Sequence, residues 1–174
     1  GSVLRAHEGG QPEVIASGQS APGDIAVNGT HVYWTNLGDG TIARAPLEGT
    51  GAEVVLSGLV KPWSLAVSET WLTWVDNATG EVSVLPLEAG GVPSVIAVTE
   101  GAWSVALDAT HVYWTTLFNA SIFAWPLAGG ETKTLASDLL SAADLALSGD
   151  RLFFGTAADA GVFYACIVKA RAAY

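Results

Sequence analysis

The sequence predicts an all-β repeat protein, and three observations support this fold class. Sequence motifs recur every 40 residues, as the spacing of two tryptophan pairs shows (74 − 34 and 114 − 74). Each period contains short runs of β-branched and aromatic residues that are separated by turn clusters, and no run has helical apolar spacing. Half of the 174 residues are hydrophobic and 14% are charged, as expected for a chain that folds around a core.

Aromatic residues mark the repeat most clearly. The motif His-Val-Tyr-Trp-Thr begins at His31 and returns at His111, and related runs begin at Trp71 and Arg151. An apolar triplet that begins at Ile25 and a series of prolines keep the same interval. These separate motifs stay in register without an insertion, which indicates an internal repeat. The aromatic anchors are Trp34, Trp74, Trp114 and Phe154, and the prolines are Pro46, Pro86 and Pro126.

The second unit shows which strands one repeat contains. Residues 64–67 form an apolar run, 71–75 an aromatic run, 81–85 an alternating run and 94–98 a fourth apolar run. Four short strands in about 40 residues is the period of a β-propeller blade. We label the strands of a blade A, B, C and D from the ring centre outwards. We expect the aromatic anchors on strand B to be buried between neighbouring blades.

The predicted propeller is a single domain over residues 3–174, after a vector scar at residues 1 and 2. It holds three whole blades and a fourth that has only strands A, B and C. A strand D at residues 13–17 is expected to complete the fourth blade, because an uncovered strand edge invites pairing. The four blades lie at about residues 24–57, 64–98, 104–137 and 144–169.

The repeat leaves three ways to close the ring. The chain forms a four-bladed monomer, or it is half of an eight-bladed ring completed as a homodimer, or it is a piece of a longer propeller. In the first two cases strand D near Val14 pairs with strand C near Val162, within one chain or between two. Open blade edges favour assembly in either case that is not a closed monomer.

Charge and cysteine content exclude several classes of function. The chain has 17 acidic and 7 basic residues, and a net charge of −10 is unsuited to nucleic-acid phosphates or an anionic membrane surface. No apolar run approaches the roughly 20 residues of a membrane-spanning helix. One cysteine, Cys166, excludes a disulfide framework and a multi-cysteine zinc site. We therefore expect no nucleic-acid partner, no membrane insertion, no cofactor and no metal.

The motifs resemble a known family of repeats. The Tyr-Trp-Thr core of strand B, the Pro-x-x-Leu-Ala-Val entry to strand A and the Pro-Leu-Glu-Gly turn resemble YWTD and NHL-like propeller repeats. They are most similar to the Ala/Gly-rich versions in secreted bacterial proteins, and the resemblance covers residues 3–169. It implies a secreted or extracytoplasmic location, with a signal segment that these residues do not include. It also implies that the D–A and B–C loops share the face that binds ligands. The fourth motif position holds Asn36, Asp76, Thr116 and Thr156.

Two tryptophans stand out at the start of strand A, where the repeat otherwise has small residues. Trp63 and Trp103 are one repeat apart, so we expect both rings at one hollow near the channel mouth. They predict an aromatic platform for a ligand, with the apolar loop tip Phe118 as its extension. The alternative is that they plug the channel or pack across blades. The next residues form a predicted polar ring at the ligand face, with backbone hydrogen bonding as the alternative: Asp24, Ser64, Ser104 and Asp144.

The histidines do not favour an enzyme. His31 and His111 enter strand B from the A–B hairpin, on the face opposite Trp63 and Trp103. The sequence therefore predicts a non-enzymatic module that binds a carbohydrate or a peptide. The alternatives are a propeller enzyme, such as a lyase or hydrolase, and a structural or self-assembling propeller fragment with no small-molecule ligand.

Overall fold

A computed structural model describes residues 1–49, 51–139, 141–149, 151–158 and 162–169, and all its regular elements are β-strands. Within these ranges there is no helix with the length and hydropathy that crossing a membrane requires. The strands form five antiparallel sheets. The all-β prediction is therefore confirmed.

The sheets follow the 40-residue units. Two short strands, β1 (Val3–Arg5) and β2 (Glu13–Ala16), form an N-terminal pair that we call the half-blade. Blade 1 contains β3 (Pro22–Val27), β4 (His31–Asn36), β5 (Thr41–Pro46) and β6 (Glu53–Leu56). Blade 2 contains β7 (Pro62–Val67), β8 (Trp71–Asp76), β9 (Glu81–Pro86) and β10 (Ser94–Val98). Blade 3 contains β11 (Ala102–Leu107), β12 (His111–Thr116), β13 (Ser121–Pro126) and β14 (Lys133–Ala136). Blade 4 contains β15 (Leu145–Ser148), β16 (Arg151–Ala158) and β17 (Val162–Lys169).

Pairing within blades 1–3 is regular between strands B and C, and it has a register shift both between strands C and D and between strands A and B. Each strand pairs with the next in the chain, and strands B and C pair over all six residues. Strands A and B have a register shift near the start of strand A, between Pro22 and Ile25 in blade 1 and at the matching place in blades 2 and 3. Such β-bulges turn side chains to new directions. Trp63 and Trp103 both lie at these bulges.

The hydrophobic core lies between the blades. Trp34, Trp74 and Trp114 are 1%, 3% and 0% exposed, which confirms the prediction that the anchors are buried. Each shares a hydrophobic cluster with the sheet before it: the half-blade for Trp34, blade 1 for Trp74 and blade 2 for Trp114. Phe154 is 3% exposed and packs against blade 3 in the same way. Blade-on-blade packing of these anchors therefore holds the array together.

The A–B hairpins explain the histidine positions. In blade 3, Asp108 Oδ1 accepts hydrogen bonds from the backbone N–H groups of Thr110 at 2.7 Å and His111 at 2.8 Å. In blade 1, Asn28 Oδ1 accepts the matching bonds from Thr30 at 3.0 Å and His31 at 2.9 Å. Each histidine Nδ1 contacts the neighbouring threonine hydroxyl. These side chains shape the turn that leads into strand B.

Asp108 is also bound to an aromatic hydroxyl. Tyr113 donates its hydroxyl to Asp108 Oδ2 at 2.8 Å. Partial burial raises the pKa of Asp108, but the hydrogen bonds from Thr110, His111 and Tyr113 lower it by more, so this pKa lies below its ordinary value. Desolvation and the bond to Asp108 raise the pKa of Tyr113.

The two ends of the array are separate sheets. Strand β2 pairs with β1, and β17 pairs with β16. Among the described strands, the predicted pairing of residues 13–17 with the last blade does not form within one chain. Pairing between two chains stays a prediction. The Cys166 side chain lies outside the residues whose side chains the structure describes.

Candidate functional site

The A strands of the four blades line a cavity of about 710 Å³, which we call the channel. Each A strand contacts the next, β3 with β7, β7 with β11 and β11 with β15. The channel brings together most of the side chains that the sequence predicted for the site. Those that line it are Asp24, Trp63, Ser64, Ser104 and Asp144.

Trp63 and Trp103 contact each other at the mouth of the channel. Their ring centroids lie 4.7 Å apart and their planes are tilted by 45°, within the range of favourable aromatic pairs. Both side chains are half-buried, unlike the core tryptophans. The rings do not share one hollow, however. Trp63 lines the channel, whereas Trp103 lines a smaller cavity outside it. Their role in ligand binding stays a prediction.

A lysine that sequence reasoning missed contacts this pair. The Lys61 ammonium nitrogen lies 5.4 Å from the centroid of the Trp63 ring, within reach of a cation–π interaction. Lys61 is itself exposed. One feature of the sequence could have indicated Lys61. Its repeat position has a charged residue in only one of the four blades, and the residues there are Ala21, Lys61, Gly101 and Ser141.

The smaller cavity has a volume of about 230 Å³ and is lined by Lys61, Asn77, Trp103 and Phe118, among others. Phe118 is 74% exposed and covers Gly101. Gly101 has a φ of +74°, and a Cβ there would come within 2.7 Å of the Phe118 ring. A side chain at residue 101 would therefore be strained by the positive φ and crowded by the Phe118 ring. We call Lys61, Trp63, Trp103 and Phe118 the rim cluster.

Asp76 holds the connection that carries Lys61 and Trp63, the blade 2 part of the rim cluster. Its side chain is 2% exposed. Its Oδ2 accepts hydrogen bonds from the backbone N–H groups of Val60 at 2.8 Å and Lys61 at 2.9 Å. Its Oδ1 accepts from Ala78 at 3.2 Å and Thr79 at 3.4 Å. One carboxylate thus joins the D–A connection to the B–C loop and fixes the backbone immediately before Trp63.

The polar ring has a structural role in three blades. Asp24 Oδ2 accepts a hydrogen bond from Leu65 N at 2.9 Å. One blade further, Ser64 Oγ accepts from Val105 N at 3.3 Å. The third bond of this inter-blade ladder joins Ser104 Oγ to Leu145 N at 3.2 Å. Backbone hydrogen bonding, the alternative that the sequence left open, is therefore present at these three positions. The ladder joins each A strand to the next.

Asp144 occupies the fourth position of the ring and differs from the other three. It is exposed, and among the described residues its carboxylate has no hydrogen-bond partner. It gives the channel one available carboxylate on the side of blade 4. No three side chains of the His, Cys, Asp and Glu types come together as a metal site within the part of the chain whose side chains are described.

The chain matches no protein-family model and no curated protein sequence. Solved structures do match. A chain of the nidogen/laminin complex superposes with a TM-score of 0.75 and 22% identity, over 89% of this chain and 64% of that one. Virginiamycin B lyase from Staphylococcus aureus gives a TM-score of 0.73 and 11% identity, over 89% of this chain and 56% of the lyase. The fold is a β-propeller.

The propeller described here matches different shares of these structures. It spans 64% of the nidogen/laminin chain and 47% of a hydrazine synthase chain from Kuenenia stuttgartiensis. It covers 95% of the computationally designed Ika4 protein, with a TM-score of 0.67 and 15% identity. All these identities are low, so the similarity establishes the fold and leaves the activity to be inferred from the residues of this chain.

Proposed function

We propose that this protein is a non-enzymatic binding module of the YWTD and NHL-like propeller type, and that the rim cluster binds its ligand. The observation that carries the proposal is the contact between Trp63 and Trp103, whose ring centroids are 4.7 Å apart at the channel mouth. Two half-buried indoles at the β-bulges that begin strands β7 and β11 offer apolar area with little loss of side-chain entropy on binding. The repeat has no structural need for them, because Gly23 and Ala143 occupy the same position in blades 1 and 4.

A carbohydrate is the ligand class that fits best. The indole faces offer an apolar surface for a sugar ring, and the surrounding polar groups suit hydroxyls. Those groups are the Lys61 ammonium, the Asn77 side chain beside the smaller cavity and the Asp144 carboxylate in the channel. Lys61 already lies over Trp63, so a cationic ligand group would compete with it for that ring.

A protein or peptide partner is the second candidate. The structural neighbour from the nidogen/laminin complex supports it, because that neighbour belongs to an assembly of two proteins. The net charge of −10 would also accelerate encounter with a basic peptide. Phe118, exposed at the loop tip, would be an apolar anchor for such a partner.

An enzyme on this scaffold has less support. Two structural neighbours are lyases, a streptogramin B lyase and virginiamycin B lyase. In this chain, Asp24 uses its two carboxylate oxygens to accept backbone N–H groups of Ile25 and Leu65. His31 and His111 lie at the A–B hairpins, one strand length from the rim cluster. Strands of six residues place them about 17 Å away.

A secreted or extracytoplasmic bacterial location is part of the proposal, because the repeat resembles propellers of that kind. A carbohydrate or protein ligand suits such a location. The other predicted partner, a second copy of the chain, would involve the two ends of the array rather than the rim cluster.

Isothermal titration calorimetry with a glycan panel and with basic peptides tests the proposal. Trp63→Ala and Trp103→Ala should each weaken binding of one ligand class by about tenfold or more. Trp71→Ala is the matched control, because Trp71 is also half-buried but lies at the opposite end of blade 2. It should leave the affinity unchanged.

The titration also distinguishes the candidates. Binding of a glycan that Trp63→Ala abolishes supports the carbohydrate proposal, and binding of peptides alone supports the second candidate. Absence of binding by both classes would contradict the proposal. So would a large loss of stability in Trp63→Ala and Trp103→Ala without an effect on affinity, because the pair would then be part of the core.

A further inference from the structure

The inner half of blade 1 lacks the cover that other blades have. Ile25 is 53% exposed, whereas Leu65 and Val105, at the same position in blades 2 and 3, are 4% and 5% exposed. Leu65 is buried in a cluster with Tyr33 and Ile42 of the preceding blade. The half-blade that precedes blade 1 has only strands of the C and D types. It packs on strands B and C of blade 1 and leaves strand A open.

Blade 4 presents the complementary face at the other end of the array. Phe153 holds the position of Tyr33 and Tyr113, which are 1% and 3% exposed because each packs against the following blade. Phe153 is half-buried, and no blade follows it among the described residues. Blade 4 therefore has the A and B strands that the half-blade lacks, and their outer face is uncovered.

The inter-blade ladder of hydrogen bonds begins at a backbone N–H in blade 1 and ends at a carboxylate in blade 4, and neither makes an inter-blade bond among the described residues. In each step, the residue before the apolar triplet of one blade accepts a hydrogen bond from the first triplet residue of the next blade. Asp144 is the acceptor of the fourth step, and among the described residues it receives no bond. Ile25 is the first donor, and its N–H is bound only by the neighbouring Asp24 Oδ1, at 2.9 Å. The next step of the series would join Asp144 to an Ile25.

We propose that blade 4 of one copy docks on blade 1 of a second copy, with Asp144 accepting the backbone N–H of the second copy's Ile25. Two such head-to-tail contacts, related by a two-fold axis, close a ring of eight blades. Strand β17 then lies beside β2, in the place that β1 has in the single chain. Strand β17 has eight residues and β1 has three, so β17 is long enough to pair with all four residues of β2.

A second copy is the occupant that the contacts favour. The docking face repeats the interface that already joins blades 1, 2, 3 and 4, with the same apolar positions and the same ladder. Among the described residues, blades 1 and 4 both line the channel but share no hydrophobic cluster, unlike neighbouring blades.

The experiment is the mass of the 174-residue chain in solution, measured by sedimentation equilibrium over a range of concentrations. We expect twice the 17.9 kDa of one chain. Ile25→Asp should return the protein to a single-chain mass, because it places a charge in the apolar interface. Asp144→Ala should raise the dimer Kd by about tenfold or more, because it removes a charged acceptor from each interface.

Both variants change exposed residues, so each should keep the folded signal of the native chain. Val95→Asp is the matched control: Val95 is 52% exposed, close to Ile25, but lies on strand D of blade 2. It should remain dimeric. A native chain of single-chain mass would overturn the proposal, and so would a dimer that Ile25→Asp and Asp144→Ala leave intact. The masses of the native chain, Ile25→Asp and Val95→Asp are independent of ligand binding, because Ile25 and Val95 are not part of the proposed binding site, whereas Asp144 lines the channel.

Discussion

The two ends of the blades differ in how closely they keep the repeat. At the end with the A–B hairpins, Asn28 and Asp108 accept the same backbone bonds in blades 1 and 3. At the opposite end, the side chains of the D–A and B–C connections vary from blade to blade. Trp63 and Trp103 occupy that end in blades 2 and 3, and Lys61 lies beside them only in blade 2.

This difference distinguishes residues that stabilise the propeller fold from residues that could bind a ligand. Side chains that keep the period satisfy turns and blade contacts, and such needs recur in every blade. Side chains that break the period at the other end are Lys61, in one blade, and half-buried or exposed aromatics that occur in at most two of the four blades. A repeat protein can vary one face without losing its core, because each blade is held by strands that the loops only connect. The rim cluster is such a departure.

The largest contrast should appear between two tryptophans of blade 3. Trp114 is 0% exposed and lies in the cluster between blades 2 and 3, so Trp114→Ala should lower the free energy of unfolding by roughly 3–5 kcal/mol. Trp103→Ala, in the half-buried rim pair, should cost much less, about 1 kcal/mol. Urea denaturation of both variants measures the difference. Equal losses would show that the rim pair belongs to the core.

Asp76 should have the next largest effect, because it links the regular strand B to the irregular loop. Asp76→Ala leaves the amides of Val60 and Lys61 without their acceptor and should cost about 1–3 kcal/mol in unfolding free energy. It should also weaken ligand binding, because those amides lie just before Trp63. Asp76→Asn should give an intermediate loss, because its side chain has one accepting oxygen where Asp76 accepts backbone N–H groups on both. A fully active and fully stable Asp76→Ala would show that the loop needs no such anchor.

Ala120 should give a smaller effect of opposite sign. It ends the B–C loop of blade 3 with a φ of 40°, where blades 1 and 2 have Gly40 and Gly80 with φ of 65° and 76°. Ala120→Gly should therefore stabilise the protein, by up to about 1 kcal/mol. Thermal unfolding measures it. The reverse change, Gly80→Ala, should destabilise, because the new Cβ would lie 2.7 Å from the Thr99 carbonyl oxygen. A loss of stability in Ala120→Gly would mean that this loop differs from its counterparts.

The smallest effect should be a pH dependence of the unfolding free energy that comes from Asp108, at the end of the blades with the A–B hairpins. The pKa of Asp108 is lowered in the folded protein, so its charge stabilises the fold above about pH 4, the ordinary range for an aspartate. That contribution is lost as the pH falls through the folded-state pKa. Asp108→Asn should therefore lose less stability than the native chain between about pH 5 and pH 2. Denaturation at a series of pH values measures this. Parallel curves would show that Asp108 contributes nothing to acid sensitivity.

The fold could be predicted well from the sequence because the same pattern of buried residues recurs in each repeat. A single aromatic at Trp34 is ambiguous, but its recurrence at Trp74 and Trp114 fixes strand, period and burial together. The bulges at the start of strand A were not predictable, because they depend on how strand A meets strand B. They determine where the Trp63 and Trp103 rings point.

Other parts of the site depend on contacts between blades. Trp63 and Trp103 were found because they break the repeat, and Phe118 because it is an apolar loop tip. Lys61 was missed although it also breaks the repeat, because its contact with Trp63 depends on the course of the loop. The role of Ser64 as an acceptor for Val105 could not be chosen from the sequence, since a ligand and a neighbouring amide would use the same oxygen.

The most direct test of the difference between the two ends is a ¹H–¹⁵N NMR titration that follows the seven tryptophan indole N–H signals. The signals are assigned through Trp63→Phe and Trp103→Phe, and the glycan that binds in calorimetry is then added. We predict that the Trp63 and Trp103 signals shift with the ligand while those of Trp34, Trp74 and Trp114 stay in place. A shift confined to Trp71 at the hairpin end, or no shift at either rim tryptophan, would contradict the account.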